Sequence, residues 1–468
     1  MYDKKKILKN IATLSVSELV NKGIVLITTL YLMRVVTPNG YGVISFGDSF
    51  SSFFLILVVL AFYQIGSREI AKKDYDISKI VNTIITSRLI LAVFTSILYL
   101  LILNFINISP EKKTVSYIYM IILFTNALNL DWAFQGMEKM GVMATRQVLT
   151  SSLTLIGYLI FVKSRADVIP ATLITTLSAF LNVILLLIYY HKKEFKFRLQ
   201  IDKEVLKVVM KSLLPLTIYI LAATLLNKAN ILIMEYYKVS AYDIGIFGGA
   251  FKFITFGVVP SNIIQMSFFQ LLARTREKEE RLVVYNKFFT LNILVGCFIF
   301  MIMYLSPEII TLALKKEFSA SIPLFQIYVI SGIIMYMNTS VTPALIAWNY
   351  EKKVMQATII GSIISLAANF ILIQQYGNYG AVYASIIGEA TIFILYAMTL
   401  FQIIQYNFIK SILKVFFVLG ISVSVGLLLK NFGLNVFIVI IIVSIIYYLT
   451  SLSIKLIDRN ELKNIIKR

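Results

Sequence analysis

The sequence predicts an all-α protein that crosses a membrane many times. Of its 468 residues, 59% are hydrophobic and only 15% are charged, whereas soluble domains carry about 25% charged residues. Apolar runs of about 20 residues, each long enough to span a bilayer, recur along the whole chain. Charged side chains fall inside several of these runs. Because a charge in hydrocarbon is costly, it normally faces a partner or a wet cavity, so this pattern favours a transporter.

The hydrophobic pattern predicts about fourteen membrane helices. Their expected spans are 12–34, 43–66, 81–103, 116–134, 142–162, 170–190, 212–236, 245–270, 288–305, 322–347, 354–374, 381–402, 412–429 and 434–455. With the N-terminus taken as cytoplasmic, 31 of the 44 Lys and Arg residues lie in inside segments and 9 in outside segments. This positive-inside pattern predicts that both termini are cytoplasmic. It also explains most of the net charge of +20 without a nucleic-acid partner.

Few residues are present that could support hydrolytic or metal chemistry. The chain has one cysteine, Cys297, and one histidine, His191, which lies in a polar segment. An internal disulfide, a cysteine cluster, a histidine-based metal site and a Ser-His triad are therefore excluded. We expect neither an enzyme nor a bound metal or cofactor.

Two halves of the chain resemble each other. The triplet 20–22 (VNK) is matched by 226–228 (LNK), and 36–42 (VTPNGYG) is matched by 239–245 (VSAYDIG). Each seven-residue segment opens a helix rich in Gly and Phe. Such internal repeats are common in transporters, whose binding site lies between the repeats.

The repeats predict three parts. An N-terminal lobe with its cytoplasmic linker covers 1–207, a C-terminal lobe covers 208–404, and an additional helix pair with a basic tail covers 405–468. Both lobes begin with a helix that starts inside, so the duplication is parallel. The additional helices carry almost no charge, which favours lipid contact.

Three lysines inside predicted helices are candidates for binding an anionic headgroup: Lys22, Lys228 and Lys252. Phosphate oxygens accept strongly from lysine, although without the bidentate geometry of arginine. The alternative for Lys22 is an ion pair with Glu18, four residues earlier on the same helix face. Arg88 either joins this cationic set or reaches the membrane interface by snorkelling.

Several carboxylates are candidates for ion coupling or for simple charge pairing. Asp48 and Glu389 lie within predicted helices, so each is either a proton or sodium site or a counter-ion, for instance Asp48 for Lys252. Asp131 and Arg146 flank a short loop, which predicts an ion pair with a possible gate role. Glu235 is expected to be exposed at the membrane interface.

The segment 31–50, YLMRVVTPNGYGVISFGDSF, resembles the N-terminal signature of polysaccharide-biosynthesis flippases, which are O-antigen and lipid-linked oligosaccharide transporters of the multidrug/oligosaccharidyl-lipid/polysaccharide exporter superfamily. The residues that carry the resemblance are Arg34, Pro38, Gly40, Tyr41, Gly42 and Phe46. The resemblance implies two six-helix lobes around a central cavity, an additional helix pair and alternating access. It also implies that an undecaprenyl-pyrophosphate-linked sugar repeat moves from the cytoplasmic to the periplasmic leaflet of the inner membrane, in cooperation with polysaccharide polymerase machinery. The cavity cations here are chiefly lysines, where related flippases often use arginine.

Two other functions compete with this interpretation. A drug or cation antiporter of the same superfamily would need an acidic or neutral aromatic cavity, which the three lysines disfavour. An O-antigen polymerase or ligase would need large outer loops, and the longest predicted outer loop is the short segment 306–321.

Overall fold

The computed structural model of the protein describes residues 4–193, 197–454 and 456, and these residues contain helices but no strand. Side chains before residue 20, including that of Glu18, lie outside this description. The helices are α1 (Lys4–Val59), α2 (Phe62–Lys72), α3 (Ile77–Phe105), α4 (Pro110–Tyr119), α5 (Ile121–Ala127), α6 (Asp131–Gly136), α7 (Met140–Phe161), α8 (Val168–Lys193), α9 (Lys203–Tyr236), α10 (Ala241–Arg274), α11 (Lys278–Leu305), α12 (Glu308–Leu314), α13 (Ser321–Ala347), α14 (Glu351–Tyr376), α15 (Asn378–Ile404), α16 (Phe408–Asn431) and α17 (Val436–Ser453).

The all-α, multi-pass architecture is confirmed, whereas the exact number of membrane helices is not. Within the described part of the chain, eleven helical segments are long and apolar enough to cross a membrane. The first of these segments, Val20–Lys72, contains the predicted span 43–66 and overlaps the predicted span 12–34. The predicted span 116–134 is instead divided among α4, α5 and α6: Met120, between α4 and α5, keeps helical dihedral angles, whereas the chain leaves the helix at 129–130. Sequence hydropathy does not detect such short breaks.

Between the predicted spans 12–34 and 43–66, helix α1 is interrupted at a single residue. Thr37 has φ 65° and ψ 174°, and helical geometry resumes at Pro38. Proline disfavours helical geometry in the residue before it, while its own fixed φ suits the first turn of a new helix. A positive φ is costly for a β-branched residue, so the packing around the buried Thr37 must hold it in place.

The chain divides into two compact units, Met1–Gly248 and Gly249–Arg468. At one end of the first unit, Trp132, Phe62, Ile84 and Tyr190 belong to one buried apolar cluster. The segment 197–202 is attached to α3 beside this cluster. Its backbone N–H groups donate to the side chains of Asn82, Thr83 and Thr86, over 3.1, 2.9 and 3.1 Å respectively. These bonds fix the start of α9.

The second unit has an aromatic cluster at its core. Tyr285, Phe289, Tyr406 and Phe408 pack edge to face, with ring centroids 4.8 Å apart for Tyr285 and Tyr406 and 5.1 Å apart for Phe289 and Phe408. This cluster fixes the start of α16 against α11. The division into segments 1–207, 208–404 and 405–468 stays a prediction.

Large apolar side chains are exposed on the last two helices. Leu413 and Phe417 on α16 are 63% and 60% exposed, and Ile441 on α17 is 60% exposed. An apolar surface of this kind suits the hydrocarbon of a bilayer.

The start of α9 provides a test of the fold at its polar end. Asp202 caps this helix by accepting from the backbone N–H groups of Glu204 (3.0 Å) and Val205 (3.2 Å). The Val205 bond is the main reason that the pKa of the Asp202 carboxyl lies below its ordinary value. A depressed pKa means that the stabilisation is present above the ordinary value and is lost as the pH falls through the folded-state pKa.

We therefore expect Asp202→Ala to lower the thermal unfolding midpoint at neutral pH, and this difference from wild type should shrink in strong acid. Asp202→Asn is the matched control, because asparagine caps helices about as well as aspartate. Thermal melts of the purified protein in detergent, followed by circular dichroism, measure both. Equal midpoints for Asp202→Ala and wild type at neutral pH would contradict the capping role.

Candidate functional site

An ion pair joins α1 to α9 within the first unit. The carboxylate of Asp48 accepts from the ammonium group of Lys228. Their side chains are 44% and 26% exposed, so the protein covers the pair only in part. Lys228, which we expected to be a headgroup-binding cation, therefore has a carboxylate partner in this conformation. A counter-ion for Asp48 thus comes from its own unit, and its pairing with Lys252 stays a prediction.

A second ion pair joins α4 to the same helix, and sequence analysis missed it. The ammonium group of Lys112 donates to the carboxylate of Glu235, and the side chains are only 8% and 14% exposed. Lys112 also lies 5.7 Å from the ring centroid of Phe46, within range of a cation–π contact. The expectation that Glu235 is exposed at the membrane interface is wrong. Glu235 is covered because Ser109 and Pro110 start a helix that carries Lys112 over it.

The two ion pairs lie on one face of α9, which contributes the cation to one pair and the anion to the other. Lys228 and Glu235 are seven residues apart, which is about two helical turns or 10.5 Å. The cation on α9 meets an acidic partner, whereas the anion on α9 meets a basic partner. A shift of α9 along its axis by two turns would bring like charges together, so the pairs specify its position.

The two repeated segments pack directly against each other. A Cβ atom added at Gly42 would lie 1.8 Å from the carbonyl oxygen of Ala241, and one added at Gly245 would lie 1.8 Å from the carbonyl oxygen of Pro38. Pro38 and Ala241 are the third residues of the two repeats, and Gly42 and Gly245 are the seventh. The contact is therefore reciprocal, as in a two-fold symmetric interface. We call it the glycine crossing.

Arg88 has a different environment from the one expected. Its side chain is buried, at 3% exposure, and donates to the backbone carbonyls of Asn126 and Asn129, the latter over 3.2 Å. These carbonyls belong to the last turn of α5 and the residues after it, where backbone acceptors lack helical partners. The snorkelling interpretation is wrong, and the capping contact accounts for Arg88 without a bound headgroup.

Asp131 and Arg146 form the expected ion pair. The guanidinium of Arg146 donates to Asp131, whose other carboxylate oxygen accepts from the side-chain amide of Asn129 over 3.1 Å. Both residues are buried. The pair connects α6 to α7, and its role as a gate stays a prediction.

The remaining candidates are distributed over both units. Lys22 on α1 and Lys252 on α10 are half-buried. Glu389 on α15 is buried and accepts from the side-chain amide of Asn338 on α13 over 2.6 Å. The same amide donates to the backbone carbonyl of Glu389 over 3.0 Å. Asn338 is a further site residue that sequence analysis missed, since a lone asparagine in an apolar helix carries no distinctive signal.

The buried Lys112–Glu235 pair gives a direct test of this geometry. Lys112→Ala should destabilise the protein by about 3 kcal/mol, because it leaves a buried carboxylate without a cation. Lys113→Ala, one residue away and outside this pair, is the matched control and should have little effect. The charge-exchanged protein, Lys112→Glu with Glu235→Lys, should regain most of the lost stability. Denaturant unfolding in detergent measures these differences, and equal destabilisation by the single and the exchanged variants would contradict the pairing.

Comparisons with known proteins agree with this architecture. The family model for polysaccharide biosynthesis proteins matches residues 7–268, which is more than half of the chain. A protein of Shigella dysenteriae that is named an O-antigen transporter is 24% identical over 353 residues, covering 72% of this chain and 86% of the relative. A protein of Escherichia coli (strain K12) with the same description is 23% identical over 169 residues, covering 36% of this chain and 41% of the relative.

Solved transporter structures share the fold. The inward closed conformation of the lipid II flippase MurJ matches with a TM-score of 0.69 and 14% identity, covering 94% of this chain and 97% of MurJ. An inward-facing multidrug resistance transporter of the MATE family, in the MOP superfamily, matches with a TM-score of 0.60 and 14% identity, covering 85% and 99% respectively. The match of the family model over residues 7–268 shows that the chain belongs to the polysaccharide biosynthesis protein family.

Proposed function

We propose that this protein moves a lipid-linked oligosaccharide across the inner membrane of a bacterium. The cargo is a sugar repeat unit on undecaprenyl pyrophosphate, and it passes from the cytoplasmic to the periplasmic leaflet by alternating access. The observation that carries this proposal is the match to the polysaccharide biosynthesis family, together with relatives named as O-antigen transporters. The fold shared with a lipid II flippase supports it.

The physical difficulty of this reaction explains why charged residues would be needed inside the membrane. A pyrophosphate with several sugars would lose its hydration in hydrocarbon, at a cost that grows with each charge and hydroxyl group. Ammonium groups on helices replace part of that hydration by donating to phosphate oxygens. Lys22, Lys228 and Lys252 are the proposed donors, while the polyprenyl tail remains in lipid.

Glu389 is the proposed coupling residue. It is buried beside Asn338, so a proton or a sodium ion at its carboxylate would neutralise a charge that is otherwise costly in the second unit. Export would then be linked to an ion gradient. The polymerase machinery that consumes the exported repeat unit is the proposed downstream partner.

A cation-coupled antiporter is the second candidate, because the fold is also shared with a multidrug transporter. The carboxylates of Asp48 and Glu389 would serve that function. Asp48 forms an ion pair with Lys228, however, and this contact favours the flippase because it reduces the acidic character of that position.

Mass spectrometry of undecaprenyl-pyrophosphate-linked glycans in cells with and without this protein tests the proposal. Loss of the protein should cause a complete single repeat unit to accumulate. Cells that contain Lys22→Glu or Lys252→Glu should export about tenfold less, since reversal of one phosphate-binding charge costs more than ~1.4 kcal/mol. Lys316→Glu, at an exposed position, is the matched control and should restore export.

Two results would contradict the flippase. An unchanged lipid-linked pool after loss of the protein would favour the antiporter. Loss of long polymers, while single repeat units still reach the outer leaflet, would favour a polymerase. Normal export by well-expressed Lys22→Glu and Lys252→Glu proteins would remove these two lysines from the site.

A further inference from the structure

The Asp48–Lys228 ion pair lies on the same helices that form or adjoin the glycine crossing. Asp48 follows Gly42 by six residues, which is about 9 Å along α1. Lys228 precedes the end of α9 by about two turns, and α9 leads through a short turn into the repeat that contains Gly245. The ion pair therefore holds α1 against α9 about two turns away from the crossing.

The two ion pairs on α9 differ in their accessibility. Lys112 and Glu235 are nearly covered, whereas Asp48 and Lys228 are 44% and 26% exposed. A pair that the protein covers only in part leaves room for a second anion to reach the ammonium group. In a pyrophosphate that links a lipid to a sugar, both phosphates are ionised and each has non-bridging acceptor oxygens, so the group competes well with a single carboxylate for an ammonium group.

We infer that Lys228 exchanges its anionic partner during transport. It binds Asp48 while the glycine crossing is closed, and a phosphate of the lipid carrier then takes the place of Asp48. Displaced from Lys228, Asp48 no longer holds α1 against α9, and the glycine crossing loosens. Lys228 thus binds the headgroup and links that binding to separation of the repeats. This inference rests on the proposed function for the identity of the anion.

Ser45 and Gly248 lie three residues beyond the two glycines of the crossing, and a disulfide between these positions reports whether the crossing is closed. A Cβ atom at Gly248 would lie 3.7 Å from the Cβ atom of Ser45, and disulfides have Cβ separations of about 3.5–4.5 Å. The new Cβ atom would lie 3.2 Å from Cε1 of Tyr41, so that ring must shift slightly. The single native cysteine, Cys297, is buried and is replaced by alanine to leave only the introduced pair.

The experiment measures the rate of disulfide formation in the Ser45→Cys, Gly248→Cys, Cys297→Ala protein in nanodiscs, with added diamide as the two-electron oxidant. The probe is farnesyl pyrophosphate, and farnesol is the control without phosphate. Farnesyl pyrophosphate should slow the reaction by about threefold or more, because it shifts the population toward the open crossing. Farnesol should leave the rate unchanged.

Three substitutions in this cysteine background separate the exchange from general loosening. Asp48→Asn should slow disulfide formation without any probe. Lys228→Gln should also slow it and should abolish the response to farnesyl pyrophosphate. Lys238→Gln, at an exposed position just after α9, is the matched control and should behave as the parent protein does.

The possible outcomes distinguish this inference from the proposed function. If farnesyl pyrophosphate raises the thermal unfolding midpoint but leaves the disulfide rate unchanged, the exchange is overturned and the flippase proposal stands. If farnesyl pyrophosphate does not bind at all, both are contradicted. If no disulfide forms without the probe, the closed crossing itself is contradicted.

A single introduced cysteine gives the same test if the double-cysteine protein is not recovered. Ser45 is 8% exposed, so Ser45→Cys in the Cys297→Ala background should react slowly with a maleimide. Farnesyl pyrophosphate should accelerate that labelling, and Lys228→Gln should remove the acceleration. Labelling that is fast from the start, or that ignores the probe, would overturn the inference.

Discussion

Charges placed among apolar helices need partners, and this requirement organises the first unit. An unpaired charge in hydrocarbon costs roughly 3 kcal/mol or more, so each intramembrane lysine or carboxylate constrains the helices around it. On α9 the constraint is met twice, by Asp48 for Lys228 and by Lys112 for Glu235. Because the two pairs have opposite polarity and lie two turns apart, they specify which part of α9 faces α1 and α4.

The glycine crossing gives a structural reason why the same position is glycine in both repeats. Gly42 and Gly245 occupy the same position in the two repeats, and each lies against the backbone of the other repeat. Only glycine permits helix backbones to approach so closely. The contact is therefore sensitive to small displacements of α1, and we expect opening of the nearby Asp48–Lys228 pair to loosen it. A transporter that works by alternating access needs such an element, with two arrangements of similar free energy.

Much of the fold could be predicted from composition and periodicity, because long apolar runs have few ways to satisfy their backbone hydrogen bonds in a membrane. The sequence also identified Asp48, Lys228, Asp131 and Arg146 as charges that need a partner. It predicted the Asp131–Arg146 pair, whose members are close in sequence, but not which distant charges meet, since such pairing depends on helix order and depth. Lys112 lies between the predicted spans 81–103 and 116–134, and Glu235 is expected at the membrane interface, and yet the two are buried together.

The predicted helix count is not confirmed, and the snorkelling interpretation of Arg88 is wrong, for a related reason. Hydropathy averages over about 19 residues, so it does not detect that the predicted span 116–134 breaks between α5 and α6. Arg88 donates to the backbone carbonyls of Asn126 and Asn129, which lie in the last turn of α5 and in the break between α5 and α6. A charge in an apolar run indicates that a polar partner exists, but the partner here is backbone that only the folded structure exposes.

The most direct test of the central claim is a translocation assay with the purified protein in liposomes. The vesicles would contain an undecaprenyl-pyrophosphate-linked oligosaccharide in their inner leaflet, and a membrane-impermeant glycosidase outside would cleave each sugar that reaches the outer leaflet. We predict that cleavage proceeds beyond the initially exposed fraction only when the protein is present. Cleavage that stops at the same fraction with and without correctly folded protein, under every ion gradient applied, would contradict the account.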